Sequence, residues 1–235
     1  MSDSLKLITP GRTEDAVTLA AVAAWESTCP KELRISQQGL TDAGVAALLQ
    51  MSKLNTLETL DLSDNHHAIP YGPDQILVSI SISGQGVQAL VSSPFLSNLR
   101  VLNLGGNTIG VAGIRALIES TTLPALTSLN VSGRDWDKPT DWTHFHDNIG
   151  GDDGLELLVN SPWVSRLQML NVSQNDFTTR GVSALIHSPF LANLTCLGAS
   201  TSKVDWQGDN TLSLEDQLAL REQFGERLSR RPFAW

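Results

Sequence analysis

The sequence predicts an α/β fold: a right-handed β/α solenoid, curved, with parallel strands on its concave face and helices on its convex face. Three observations carry that prediction. A motif recurs at fixed spacing, each copy switches from an alternating to a helical apolar period, and the composition is rich in leucine and poor in charge. Some six repeat units are expected, interrupted by two loop inserts and closed by terminal caps.

The spacing is the strictest of the three. Gly44, Gly86, Gly113, Gly154 and Gly181 each precede a strand leucine by 16 residues, namely Leu60, Leu102, Leu129, Leu170 and Leu197. The stretch from strand leucine to glycine has one length in three units: Leu33 to Gly44, Leu102 to Gly113 and Leu170 to Gly181. It is more than twice as long from Leu60 to Gly86 and from Leu129 to Gly154. The unit is therefore about 27 residues long. Two units carry inserts of a little over half that length.

Each unit holds two periods. Leu60-x-Leu62 alternates, as one face of a strand does, whereas Val87, Leu90 and Val91 recur at helical spacing. Ser-Pro steps at 93–94, 161–162 and 188–189 end the helices, because proline cannot extend them and restricts the residue before it. Asn65, Asn107 and Asn175 follow the strands and suit a turn, since Asn side chains bond the turning backbone. Arg134 and Ser202 stand in that place in two other copies. One unit cannot bury both its strand face and its helix face, so the units must stack.

The boundaries follow from these copies. Residues 1–32 form an N-terminal cap region, with Thr13 as helix N-cap and Glu14 and Asp15 in the first turn. Residues 33–202 form the solenoid, with inserts at about 66–80 and 135–148. Residues 203–235 form a C-terminal cap helix and tail. Ser213 opens that helix like a capping box, and Leu214, Leu218, Leu220, Phe224 and Leu228 are expected to cover the last unit.

Charge excludes some partners. Lys and Arg total 16 against 25 Asp and Glu, a net charge of −9, which disfavours nucleic acid and anionic membranes as ligands. No stretch approaches the roughly 18 apolar residues of a membrane span. Two cysteines, Cys29 and Cys196, are too few for a disulfide framework. A monomeric cytoplasmic protein is the expectation.

The leucine and asparagine positions over 33–202 resemble the leucine-rich repeat, in its long, helix-containing, ribonuclease-inhibitor-like class. Similar short arrays occur in bacterial proteins. The resemblance implies a non-enzymatic scaffold that binds a protein or peptide. It also brings in proteins that activate GTPases through a loop residue, for which Asn107 or Arg134 would be the candidates here. Asn107 is already explained by its turn and Arg134 as a solvated loop residue.

Candidate binding residues fall in two places. On the concave strands the row Asn103, Asn130 and Asn171 offers a polar surface. The inserts hold Tyr71, Trp136, Trp142, Phe145 and four of the 5 histidines, His66, His67, His144 and His146. Strands stack about 4.8 Å apart, so inserts two units apart would root roughly 10 Å from each other. Long loops without secondary structure are uncommon unless they have a function or are disordered.

Three uses of the inserts compete. They form a partner-binding rim anchored by Tyr71, Trp136, Trp142, His144, Phe145 and His146, or they pack on one another. The third use is a metal site from His66, His67, His144 and His146, joined by Asp135, Asp137 or Asp147, since imidazole suits zinc or copper; no established ligand spacing accompanies it. Phosphate-loop, nucleophile-elbow, His-Glu-x-x-His and Cys-x-x-Cys motifs are missing from the sequence, so neither an enzyme nor a cofactor is expected. A metal-dependent or GTPase-activator-like activity and a purely structural spacer are the alternatives.

Overall fold

The computed structural model of the protein describes residues 4–6, 31–50, 54–71, 76–134, 147–200 and 212–229. Seven short strands form one parallel sheet: β1 (Ser4–Lys6), β2 (Glu32–Arg34), β3 (Thr59–Asp61), β6 (Val101–Asn103), β7 (Ser128–Asn130), β8 (Met169–Asn171) and β9 (Cys196–Gly198). Between β3 and β6 in the chain, β4 (His67–Tyr71) and β5 (Ile76–Ile80) make a separate antiparallel hairpin. The register is set by the leucines: Leu33, Leu60, Leu102, Leu129, Leu170 and Leu197 lie side by side across the sheet. All six are buried. Leu5 adds a rung beside Leu33, so the sheet starts one strand before the recognisable repeat, inside the region read as a cap.

A helix follows each of five strands: α1 (Asp42–Leu48), α2 (Gly84–Ser92), α3 (Gly110–Ile118), α4 (Gly151–Val159) and α5 (Thr179–His187). With α6 (Leu214–Phe224) they pack in sequence order, each on the next. The buried helix positions and strand leucines form one continuous core, each leucine contributing about 1.5–3 kcal/mol by leaving water. The repeat glycine sits in the first turn of these helices because nothing larger fits. A Cβ on Gly154 would be driven into the Ile149 carbonyl, and one on Gly113 would come within 2.7 Å of the Ile109 side chain.

The helix starts are tied across units. Asp42 Oδ1 accepts from the N–H groups of Ser83 (2.8 Å) and Gly86 (2.9 Å), at the start of the next helix. Asp152 does the same for Thr178 (2.8 Å) and Gly181 (2.9 Å). These carboxylates satisfy orphan donors of the following helix and suit its dipole. At the other helix end, Ser93, Ser161 and Ser188 each use Oγ to accept from the N–H two residues on, beyond the proline. The Ser-Pro step thus both stops the helix and shapes the turn.

The C-terminal helix differs from expectation. Asp216, Leu220 and Phe224 are its buried row, whereas Leu214 and Leu218 are 70 % and 52 % exposed. The capping box selects the face: Ser213 donates through N and Oγ to Asp216 Oδ2, which also accepts from Thr179 Oγ1 (2.8 Å). Positions four and eight residues after Asp216 must then point inward. Beyond the helix, Leu228 bridges Leu197 and Ser229 N donates to Leu197 O (2.8 Å), laying chain along the β9 edge. The expected helix over 13–25 and the tail 230–235 lie outside the described residues.

Candidate functional site

The strand-exit turns carry the polar residues. Each turn needs one residue in the left-handed region, taken by Gln37 (φ 60), Asp64 (φ 54), Gly106 (φ 68) and Gln174 (φ 64). The next position belongs to the repeat asparagine. Asn65 Nδ2 donates to Leu62 O (2.9 Å) in its own unit and to Ile35 O in the previous one, and its Oδ1 accepts from Gln38 N (3.0 Å) and Leu40 N (2.9 Å). Asn175 donates to Val172 O (3.0 Å) and Val131 O (2.8 Å). Only an amide offers donor and acceptor at this spacing, and these side chains are fully buried.

In the fourth unit Asn148 does this work, not residue 134. Its Nδ2 donates to Leu104 O (2.9 Å) and Ser132 O (3.1 Å), and its Oδ1 accepts from Ile109 N (3.1 Å). Its own N–H donates to Asn175 Oδ1 (2.8 Å). The second insert therefore enters before the ladder asparagine, whereas the first enters after Asn65. The two do not leave their units at the same point, and Asn148 belongs to the repeat.

The first insert also breaks the ladder. By the spacing of Leu40 and Ile109, His67 N is the donor due to Asn107 Oδ1, but His67 begins the hairpin. Asn107 Nδ2 keeps three carbonyl partners, and its buried Oδ1 has none. The insert contains a hairpin and is not a structureless loop, because Ile69, Ile76, Val78 and Ile80 favour strands.

The roots of the two inserts meet. Arg134 Nη1 lies 2.7 Å from His66 Nδ1, and His66 is only 4 % exposed. Arginine has no acceptor, so it donates and His66 Nδ1 carries no proton. Asp147 Oδ1 accepts from Ile149 N and Gly150 N, both at 3.1 Å, before α4. Burial pushes its carboxyl above the ordinary value, against those backbone bonds.

A family model described as Leucine Rich repeat matches residues 53–66, 95–117 and 167–185. These stretches hold strands β3, β6 and β8 with their leucine ladders and turn asparagines. The chain therefore carries leucine-rich repeats in these three stretches. No curated protein matches it.

Of the expected site residues in this repeat-bearing chain, Tyr71 ends β4 and His67 starts it. Trp136, Trp142, His144, Phe145 and His146 lie outside the described residues, as do Asp135 and Asp137. Asn103, Asn130 and Asn171 are 5 %, 6 % and 7 % exposed. Their Oδ1 atoms accept from the N–H groups of Gly105 (3.1 Å), Ser132 (2.9 Å) and Ser173 (3.1 Å), and Asn130 Nδ2 reaches Asn103 Oδ1 (2.8 Å). The row thus closes the strand-exit turns. Asp61, also buried, repeats the arrangement with Ser63 and faces Arg34 (3.5 Å). Among the described residues no three His, Cys, Asp or Glu side chains gather to hold a metal, and no helix is long and apolar enough to cross a membrane.

Sequence reasoning missed His66–Arg134 and the aspartate caps. The latter carried a signal: an aspartate two residues before a repeat glycine, with Ser or Thr three residues before the next one.

Proposed function

We propose that this leucine-rich-repeat chain is a non-enzymatic protein-binding scaffold of the ribonuclease-inhibitor-like class, acting in the cytoplasm. Its binding rim is formed by the two inserts at the strand-exit edge, with Tyr71, Trp136, Trp142, His144, Phe145 and His146 as contacts. Leucine-rich-repeat domains commonly mediate protein binding, and repeat arrays present extended surfaces for it. The observation that carries the reading is the bond between Arg134 and the buried His66, which draws the insert roots together. Aromatic side chains such as Trp and Tyr are the usual anchors of tight interfaces.

Affinity capture with the full chain, followed by mass spectrometry and binding to the purified partner, tests this. Trp136→Ala with Trp142→Ala should weaken that binding at least tenfold while leaving the thermal melt nearly unchanged. Binding that survives the double substitution would remove the rim. A melt lowered by several degrees would assign the tryptophans to packing.

A further inference from the structure

The helices share a position that meets the following unit, two residues before the repeat glycine. There Asp42 accepts from Ser83 N and Gly86 N, and Asp152 from Thr178 N and Gly181 N. Gly84 stands at the same place, and an added Cβ would come within 3.0 Å of Ala112 in the next helix. Val111 lies against Gly150, where a Cβ would approach it to 2.7 Å, and Thr179 Oγ1 donates to Asp216 (2.8 Å). In α6 the place of the glycine belongs to Asp216, three residues after the N-cap Ser213 as Gly181 is after Thr178. Leu214 is then the residue aimed at a following unit. Leu218 matches Glu156, which reaches Arg180 of the next helix (3.4 Å). Both leucines are exposed, at 70 % and 52 %, although this is the face on which a repeat array buries apolar surface.

We propose that residues 230–235, which lie outside the described residues, cover this end of the array with Phe233 and Trp235 against Leu214 and Leu218. The segment starts at the right place. Leu228 bridges Leu197 in parallel and Ser229 N donates to Leu197 O, so the chain leaves Ser229 toward the edge where the helices begin. Six extended residues reach about 20 Å, against about 6 Å between Leu214 and Leu218 along α6. The segment also cannot make the turn of the repeat. Four residues after the ladder leucine, Gln37, Asp64, Gly106 and Gln174 are left-handed, whereas Pro232 in that place is held at φ of about −65°. The chain must therefore leave the ladder and is free to cross the end. Its charge is complementary. Glu215 and Glu222 are exposed on one flank of the leucine pair, with Arg221 on the other, and Arg230 and Arg231 precede the two rings. The rings bury the leucines while the guanidinium groups lie beside the two glutamates. Such a strap gives the last unit the polar outer face that a repeat array needs at its end. It is independent of the binding rim.

A covered thiol reacts only when its cover opens, so thiol labelling tests the strap. The full chain with Cys29→Ser and Cys196→Ser carries Leu214→Cys as reporter, or Gln85→Cys, exposed on α2, as reference. Adding Phe233→Ser and Trp235→Ser should speed labelling at Leu214→Cys roughly tenfold. The same pair should leave the rate at Gln85→Cys unchanged, which shows that the fold is intact. Labelling of the reporter before that substitution should not vary with protein concentration. Equal rates with and without the two rings overturn the proposal. Protection that grows with concentration would assign the face to a second copy of the chain, and concentration-independent protection that survives the double substitution would assign it to another segment; either result overturns the strap.

Discussion

Arg134 donates to Nδ1 of His66 across 68 residues of sequence, at 2.7 Å and with the imidazole almost wholly buried. One residue follows the ladder asparagine of its unit and the other precedes one, so the bond spans β6 and links both interruptions of the repeat. Because arginine can only donate, the bond fixes the ring as the Nε2–H tautomer. Nitrogen NMR of the imidazoles should show His66 neutral with its proton on Nε2. A proton on Nδ1 at neutral pH would contradict the geometry.

The ladder asparagines should not be equivalent. Asn148→Ala removes two donated bonds and one accepted bond from a buried site, and should cost about 2–4 kcal/mol in urea unfolding. Asn107→Ala loses its donated bonds but also removes a buried acceptor that has no partner, so it should cost about 1 kcal/mol less. Equal costs would mean that the orphaned acceptor is satisfied.

Gly154→Ala tests the close approach in the helix start. The added methyl would meet backbone at Ile149, which cannot swing aside as a side chain can. A loss of about 3 kcal/mol or more is expected, well beyond the usual effect of a single surface change. A loss under about 1 kcal/mol would show that α4 starts differently.

Acid should act on Asp152 and Asp147 with opposite sign. Burial would raise the Asp152 carboxyl, but bonds from Thr178, Arg180 and Gly181 together hold it below its ordinary 3.8. Its contribution is complete above 3.8 and is lost as pH falls from there through the folded value. Asp152→Asn should therefore flatten the acid limb of a stability-versus-pH curve. Asp147, raised by burial, favours the protonated fold: its contribution is complete below 3.8 and is lost as pH rises through the folded value. Asp147→Asn keeps the Oδ1 acceptor and should stabilise the protein at neutral pH, with the gain fading below 3.8. An unchanged pH profile in both variants would contradict these environments.

The sheet register was legible because one leucine per repeat unit must fall on the same rung, and the repeat glycine and Ser-Pro step mark each helix. What escaped reading depends on contacts far apart in sequence. Asn148 is separated from its strand by the second insert, so no fixed offset reveals it. Asp42 reaches Ser83 across 41 residues, a span that includes the first insert. The buried row of α6 is chosen by Asp216 and its cap, against the pull of Leu214 and Leu218. Of the candidate site, the sequence did not reveal the hairpin or the bond between His66 and Arg134, both of which depend on contacts between residues far apart in the repeat pattern.

The joined insert roots are tested most directly by a double-mutant cycle on unfolding free energy with His66→Ala, Arg134→Ala and the pair. A coupling of about 1 kcal/mol or more is expected for a buried charge-assisted bond. Additivity within about 0.3–0.5 kcal/mol would show that the two residues act apart, and the inserts with them.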